Sequence, residues 1–190
     1  MKKSIIWIGI IAVIAIWGIS AYNGLVNKDE AVTAAWGLVE NNYQRRADLI
    51  PNLVATVKGY AEHESSTLEA VVNARAAATQ VKGGDLSSEE IAAYQKAQSE
   101  VSSSLSRLLL VVENYPELKA NENFLDLQAQ LEGTENRIAE ARRAFNETAK
   151  EYNTSVRRFP ANILANLFGF STKGYFEADE AAKTAPKVEF

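Results

Sequence analysis

The chain has 190 residues, 47% hydrophobic and 23% charged, with a net charge of −4, one histidine and no cysteine. No cysteine means no disulfide, no thiol catalysis and no thiolate metal site. The acidic balance argues against nucleic acid as a partner and against broad attraction to anionic lipid.

The run from Ser4 to Tyr22 carries no charge and consists of small or apolar residues. As a helix it is about 28 Å long, a match for the ~30 Å hydrocarbon core of a bilayer. Trp7, Trp17 and Tyr22 fall toward its ends, where amphipathic rings favour the headgroup level. We expect a single membrane span over residues 1–22; a cleaved signal peptide behind Met1-Lys2-Lys3 is the alternative. Lys2 and Lys3 lie on the short side of the run, so the positive-inside rule keeps the N-terminus in the cytoplasm and exports the domain. The expected location is a cytoplasmic membrane, with the domain on its exported face.

Beyond the span, Tyr22, Leu25, Val32, Trp36, Val39 and Tyr43 recur at helical steps, interrupted by Asp29. The membrane helix is therefore predicted to continue into the domain. At Arg45-Arg46-Ala47-Asp48-Leu49-Ile50-Pro51 the sequence predicts a turn, because proline removes a donor and disfavours helix at Ile50. One long helix bent at Pro51 remains the alternative, since the apolar period resumes at once.

A second helix is predicted from Asn52 to Val81, with Val54, Val57, Ala61, Leu68, Val71, Arg75 and Ala78 on one face and a polar dip at His63-Glu64-Ser65-Ser66. Gly83-Gly84 stops it, and a serine cap with Glu89 and Glu90 starts the next. That third helix carries Ile91, Tyr94, Gln98, Val101, Leu105, Leu108, Val112 and Tyr115 at alternating steps of three and four. After Pro116 a fourth follows, with Phe124, Leu131, Ile138, Phe145, Tyr152 and Phe159 in one heptad row and Thr134, Ala141, Thr148 and Ser155 in a row of small residues beside it; Pro160 ends it. The predicted class is all-α: one transmembrane helix continuing into an antiparallel up-and-down four-helix bundle over 23–160, with coiled-coil-like seams.

Residues 161–190 form a membrane-proximal apolar segment and an acidic tail. Ile163, Leu164, Leu167 and Phe168 sit at helical spacing and, with Phe170, are candidates for contact with the bilayer surface or with a second copy; folding back onto the bundle is the alternative. The tail from Tyr175 to Phe190 is expected to be mobile or ordered by a partner. In the expected topology Arg45, Arg46, Asp48, Pro51, Tyr115 and Pro116 meet at the distal tip and are candidates for a protein partner.

Chemistry finds little support. His63-Glu64 opens like a His-Glu-x-x-His zinc motif, but position 67 is threonine and no second histidine exists. A Ser-His-Asp triad would have to use His63, and no Gly-x-Ser-x-Gly accompanies it. Glu40 and Asp48, two turns apart, read as solvated helical carboxylates. No catalytic, cofactor or metal residue is expected.

Tyr22-Asn23-Gly24-Leu25-Val26, Glu30-Ala31-Val32 with Trp36, and the block from Tyr43-Gln44-Arg45-Arg46 through Asp48-Leu49-Ile50-Pro51-Asn52-Leu53-Val54 closely resemble the LemA family. Val57-Lys58-Gly59-Tyr60-Ala61-Glu62-His63-Glu64, Glu113–Ala120, Glu135–Ile138, Arg142–Asn146, Tyr152-Asn153 and Phe168-Gly169-Phe170 extend the resemblance over nearly the whole chain. It implies a bacterial single-pass protein with a four-helix bundle, no established enzymatic activity and no catalytic residues to carry over. It also implies links to membrane organelle formation and to membrane proteases. The family is often described with its N-terminus outside; Lys2 and Lys3 point the other way. The leading expectation is a non-enzymatic scaffold that self-associates and organises the membrane. The alternative is an adaptor presenting its tip to a membrane protease or signalling partner.

Overall fold

The computed structural model describes residues 2–81 and 83–178, with side chains from Ile6 onward; Ser4 and the tail beyond 178 thus lie outside the described side chains. Among the described residues the chain is all-helical, without a strand. The elements are α1 (Lys2–Lys58), a 3-10 turn (Glu62–Glu64), α2 (Ser65–Gln80), α3 (Ser88–Val112), α4 (Pro116–Lys119), α5 (Glu122–Arg157) and α6 (Ala161–Phe168). They divide into two compact units, one of residues 1–43 with 135–173, the other of 44–134 with the segment from Gly174.

In the first unit the apolar start of α1 is exposed from Ile6 to Ile19, and its helix is long and apolar enough to cross a membrane. Burial begins at Leu25 and continues through Val32, Trp36, Val39 and Tyr43, the stripe expected from the spacing. Facing residues come from α5: Ile138, Ala141, Phe145, Ala149, Tyr152 and Val156 are buried at steps of three and four. Trp36 and Phe145 meet edge to face, with ring centroids 5.5 Å apart. Phe159, expected to close the α5 row, is exposed, because α5 ends at Arg157 and the row loses its helical register there.

In the second unit one core gathers Ile50, Leu53 and Val57 of α1, Leu68, Val71 and Ala78 of α2, Val101, Leu105, Leu108 and Val112 of α3, Leu118 of α4, and Phe124 and Leu131 of α5. The predicted turn at Pro51 does not form: α1 runs through the proline to Lys58. Proline leaves the Ala47 carbonyl without its usual i+4 donor. That carbonyl instead accepts the Nε–H of Arg75, on α2, at 2.7 Å. The break comes at Gly59-Tyr60-Ala61, where the Val57 carbonyl accepts from the amides of Tyr60 and Ala61. The second helix accordingly begins at Ser65, in the polar dip, and not at Asn52.

α3 follows its sequence closely. Ser87 caps it in a reciprocal box: the Ser87 hydroxyl accepts from the Glu90 amide, and the Glu90 carboxylate accepts from the Ser87 amide. Ile91, Tyr94, Gln98, Val101, Leu105, Leu108 and Val112 are all buried. α5 is capped by Asn121, whose Oδ1 accepts from the Phe124 amide at 3.0 Å. The start of the tail, expected to be mobile or ordered by a partner, is docked on the chain itself. Gly174 donates its N–H to the Leu86 carbonyl at 2.8 Å, Gln95 exchanges two hydrogen bonds with the backbone of Glu177, and Phe176 is buried.

Candidate functional site

Two places concentrate side chains that the heptad pattern does not account for, one in each unit. In the first unit α6 follows α5 after a short connection, and Gly169 ends it in the left-handed region at φ 77°, a geometry that glycine adopts without steric cost. The Ala165 carbonyl accepts the amides of Gly169 and Phe170, so the chain turns tightly there. Phe168 and Phe170 both pack edge-on against Tyr22, at 4.9 and 5.7 Å between centroids. Ala165 is fully buried, whereas Ile163 (59%), Leu167 (73%) and Phe168 (56%) are exposed and Leu164 and Phe170 are partly covered. Tyr22 is 37% exposed, as expected of a residue where the apolar run ends. Trp7 and Trp17 are likewise exposed along it.

Farther along α1, Asp29 pairs with Lys173, Oδ1 to Nζ 3.1 Å. The Lys173 ammonium also lies 5.7 Å from the centre of the Tyr152 ring. Asn153 clamps the Lys173 backbone with two hydrogen bonds, accepting its amide and donating to its carbonyl, each 2.8 Å. Burial, then the negative charge and hydrogen bonding of Asp29, push the Tyr152 hydroxyl up to about 12. Sequence reasoning registered Asp29 only as an interruption of an apolar stripe. That interruption was the available signal, and its partner lies too far along the chain to be read from spacing.

In the second unit the residues proposed for a tip separate. Arg46 is buried, its guanidinium donating to the Gln98 side chain at 2.6 Å, the Gln98 carbonyl at 3.0 Å and the Ser102 hydroxyl at 2.8 Å. It holds α1 to α3 and is closed to a partner. Arg45, Asp48 and Pro51 are exposed along α1, with Asp48 accepting from Gln44 one turn back. Tyr115 and Pro116 stand instead beside the 3-10 turn: the Tyr115 hydroxyl donates to Glu64 at 3.1 Å, and Asn121 donates to the Tyr60 hydroxyl at 3.0 Å. The hydrogen bond to Glu64, then burial and the Glu64 charge, raise the Tyr115 hydroxyl above its ordinary value. Next to this turn a groove of about 240 Å³ has a floor of Val54, Leu68 and Val72 and a rim of Lys58, Glu62 and Glu69.

Among the described residues no group of histidine, aspartate or glutamate is arranged to hold a metal. His63 lies in the 3-10 turn and is exposed.

The Magnetosome protein MamQ 2 of Paramagnetospirillum magneticum is 29% identical to this chain, covering 86% of it and 67% of the relative. The Magnetosome protein MamQ of Magnetospirillum gryphiswaldense is 28% identical with the same coverage. Protein LemA of Metamycoplasma hominis is 23% identical over 83% of this chain and 69% of its own length. The LemA family model matches residues 35–190. With that match covering most of its length, the chain belongs to the LemA family.

Proposed function

We propose that the protein is a non-enzymatic, single-pass membrane scaffold. It self-associates and organises the membrane or envelope around it, with the N-terminus in the cytoplasm and an antiparallel four-helix bundle on the other side. The observation that carries this reading is the continuity of α1. The helix leaves its apolar run at Tyr22 and has its first buried core residue at Leu25, with no linker between span and domain. A flexible tether would favour a domain that searches for substrate; a stiff helical entry suits one that imposes geometry on the bilayer. Relatives that are magnetosome proteins accord with a part in building a cellular structure.

Light scattering of the full-length protein in mild detergent, beside a version lacking residues 1–22, tests the proposal. A discrete assembly larger than one chain that depends on the span is the expected result. A monomer in both forms refutes self-association.

A second reading, an adaptor, is favoured by the groove beside the 3-10 turn, whose apolar floor and mixed-charge rim suit a peptide or helix of another protein. The cysteine-free chain accepts a single crosslinker at Glu62→Cys. A heterologous adduct supports the adaptor, and self-crosslinks alone count against it.

A further inference from the structure

We infer that α6 is an in-plane membrane foot: a short helix that lies in the headgroup layer beside the span and gives the protein a second contact with the same leaflet. The inference rests on the membrane anchoring proposed above and extends it from one element to two. Four observations converge within the first unit.

The first is the outward face of α6. Phe159 just before the helix and Ile163, Leu167 and Phe168 within it are more than half exposed, and Ala161–Phe168 contains no charged residue. Such a patch on a water-facing helix is costly unless something apolar covers it. The second is its position. The foot touches α1 through Phe168, and through Phe170 just after it, on Tyr22, the last residue before the polar Asn23. Its apolar face is thus continuous with the surface that the span presents to lipid, and lipid is the occupant this placement selects.

The third is a depth gauge built into α1. Asp29 lies seven residues beyond Tyr22, a rise of about 10 Å. The headgroup region on each side of a bilayer is roughly 5–8 Å thick. With Tyr22 at the hydrocarbon boundary, the Asp29–Lys173 pair emerges on the aqueous side of the headgroups, and the chain from Phe168 to Lys173 climbs through that layer. A charge pair farther down would be forced into hydrocarbon; one farther up would leave the foot hanging in water. The fourth is charge placement. Arg157 and Arg158, both exposed, immediately precede Phe159, and cations flanking an interfacial helix favour lipid phosphates. They supply the cationic flank that α6 itself lacks.

The Asp29–Lys173 pair and the Asn153 clamp give the segment after the foot fixed partners on α1 and α5, so the foot's height is set by the protein and not by the lipid. The foot also limits how far the shaft can tilt, since leaning one way lifts α6 out of the boundary and leaning the other drives Arg157 and Arg158 into it.

The test uses the full chain, reconstituted in vesicles of phosphatidylethanolamine and phosphatidylglycerol, with one nitroxide-labelled cysteine at a time. The positions are Ile163→Cys and Leu167→Cys on the foot, Ile11→Cys in the span and Ser66→Cys in α2, all exposed, so no label displaces a core residue. Collision with oxygen, which partitions into lipid, is compared with collision with a water-soluble nickel chelate. The foot predicts oxygen-to-nickel ratios at Ile163 and Leu167 several-fold above that of Ser66 and below that of Ile11. A lipid-like ratio at Ile11 with a water-like ratio on the foot overturns the inference while leaving the anchor intact. Protection of Ile163 and Leu167 from both reagents overturns it too, because the face is then covered by protein. A water-like ratio at Ile11 removes the membrane reading itself and the foot with it.

Discussion

Pro51 sits inside a helix because Arg75 does what its missing N–H cannot, and that dependence is measurable. In the native chain the Ala47 carbonyl receives the Arg75 Nε–H at 2.7 Å. Arg75→Met keeps much of the apolar stem but removes the donor. A charge-assisted bond is lost and a half-buried carbonyl is left short, at a cost of about 2 kcal/mol. In a Pro51→Ala background the new backbone N–H points at the same carbonyl, so Arg75→Met then costs only ~0.5 kcal/mol, for lost packing. The coupling is thus about 1.5 kcal/mol, well above the few tenths expected of independent sites. Thermal melts followed by circular dichroism in mild detergent read it. At this chain length 1 kcal/mol moves Tm by roughly 2–4 °C, so Arg75→Met lowers Tm by about 4–8 °C beside Pro51 and by no more than about 2 °C beside Ala at that position. Equal losses in the two backgrounds would refute the account.

Arg46→Ala leaves the Gln98 side chain and the Ser102 hydroxyl without their buried donor, and should cost roughly 3 kcal/mol in the same melts; Arg46→Lys fails to rescue it, lacking a fork that reaches both. The Tyr152 hydroxyl, raised to about 12, holds its proton more tightly in the folded chain than unfolded. Its contribution is complete below about pH 10 and is lost as pH rises from about 10 to about 12, so Tyr152→Phe should flatten the stability profile in that window alone. Gly174→Ala puts a Cβ 2.7 Å from the Ser88 Cα and 2.9 Å from the Ser87 carbonyl oxygen. The docked segment must lift, and hydrogen exchange at Gly174 and Glu177 should rise while the centre of α3 stays protected.

The α3 stripe from Ile91 to Val112 and the Ser87 cap were legible because period and capping are local properties, settled within one helix. The first-unit stripe of α1 and the aromatic positions of α5 up to Tyr152 were legible for the same reason. What misled was Pro51. A proline's local meaning is a break, and the residue that overrides it lies on α2, 28 positions by sequence from the Ala47 carbonyl it meets. The true break at Gly59–Ala61 left a weaker trace, the glycine and the polar dip after it. Phe159 shows the opposite failure: a heptad row carried past the last helical residue, where spacing no longer means direction. The docking of Glu177 on Gln95 was invisible, since a glutamine amide that pairs with an extended backbone has no periodic signature.

Three irregularities interrupt the apolar stripe of α1, and each is matched by a residue that arrives much later: Asp29 by Lys173, Arg46 by Gln98 and Ser102, and Pro51, through the Ala47 carbonyl, by Arg75. Apolar stripes repeat every seven residues, so a helix can slip by one heptad against its neighbours and still bury comparable surface. A buried guanidinium or a donor-less carbonyl does not survive such a slip, because its partner would move about 10 Å away. These residues therefore select one register among several that hydrophobicity alone would accept. The block from Tyr43 to Val54 is then dense in unusual residues for reasons of alignment. Arg46 has its hydrogen-bonding capacity directed inward and Arg75 reaches back to the helix, whereas the groove beside Glu62 and the face of α6 are turned outward.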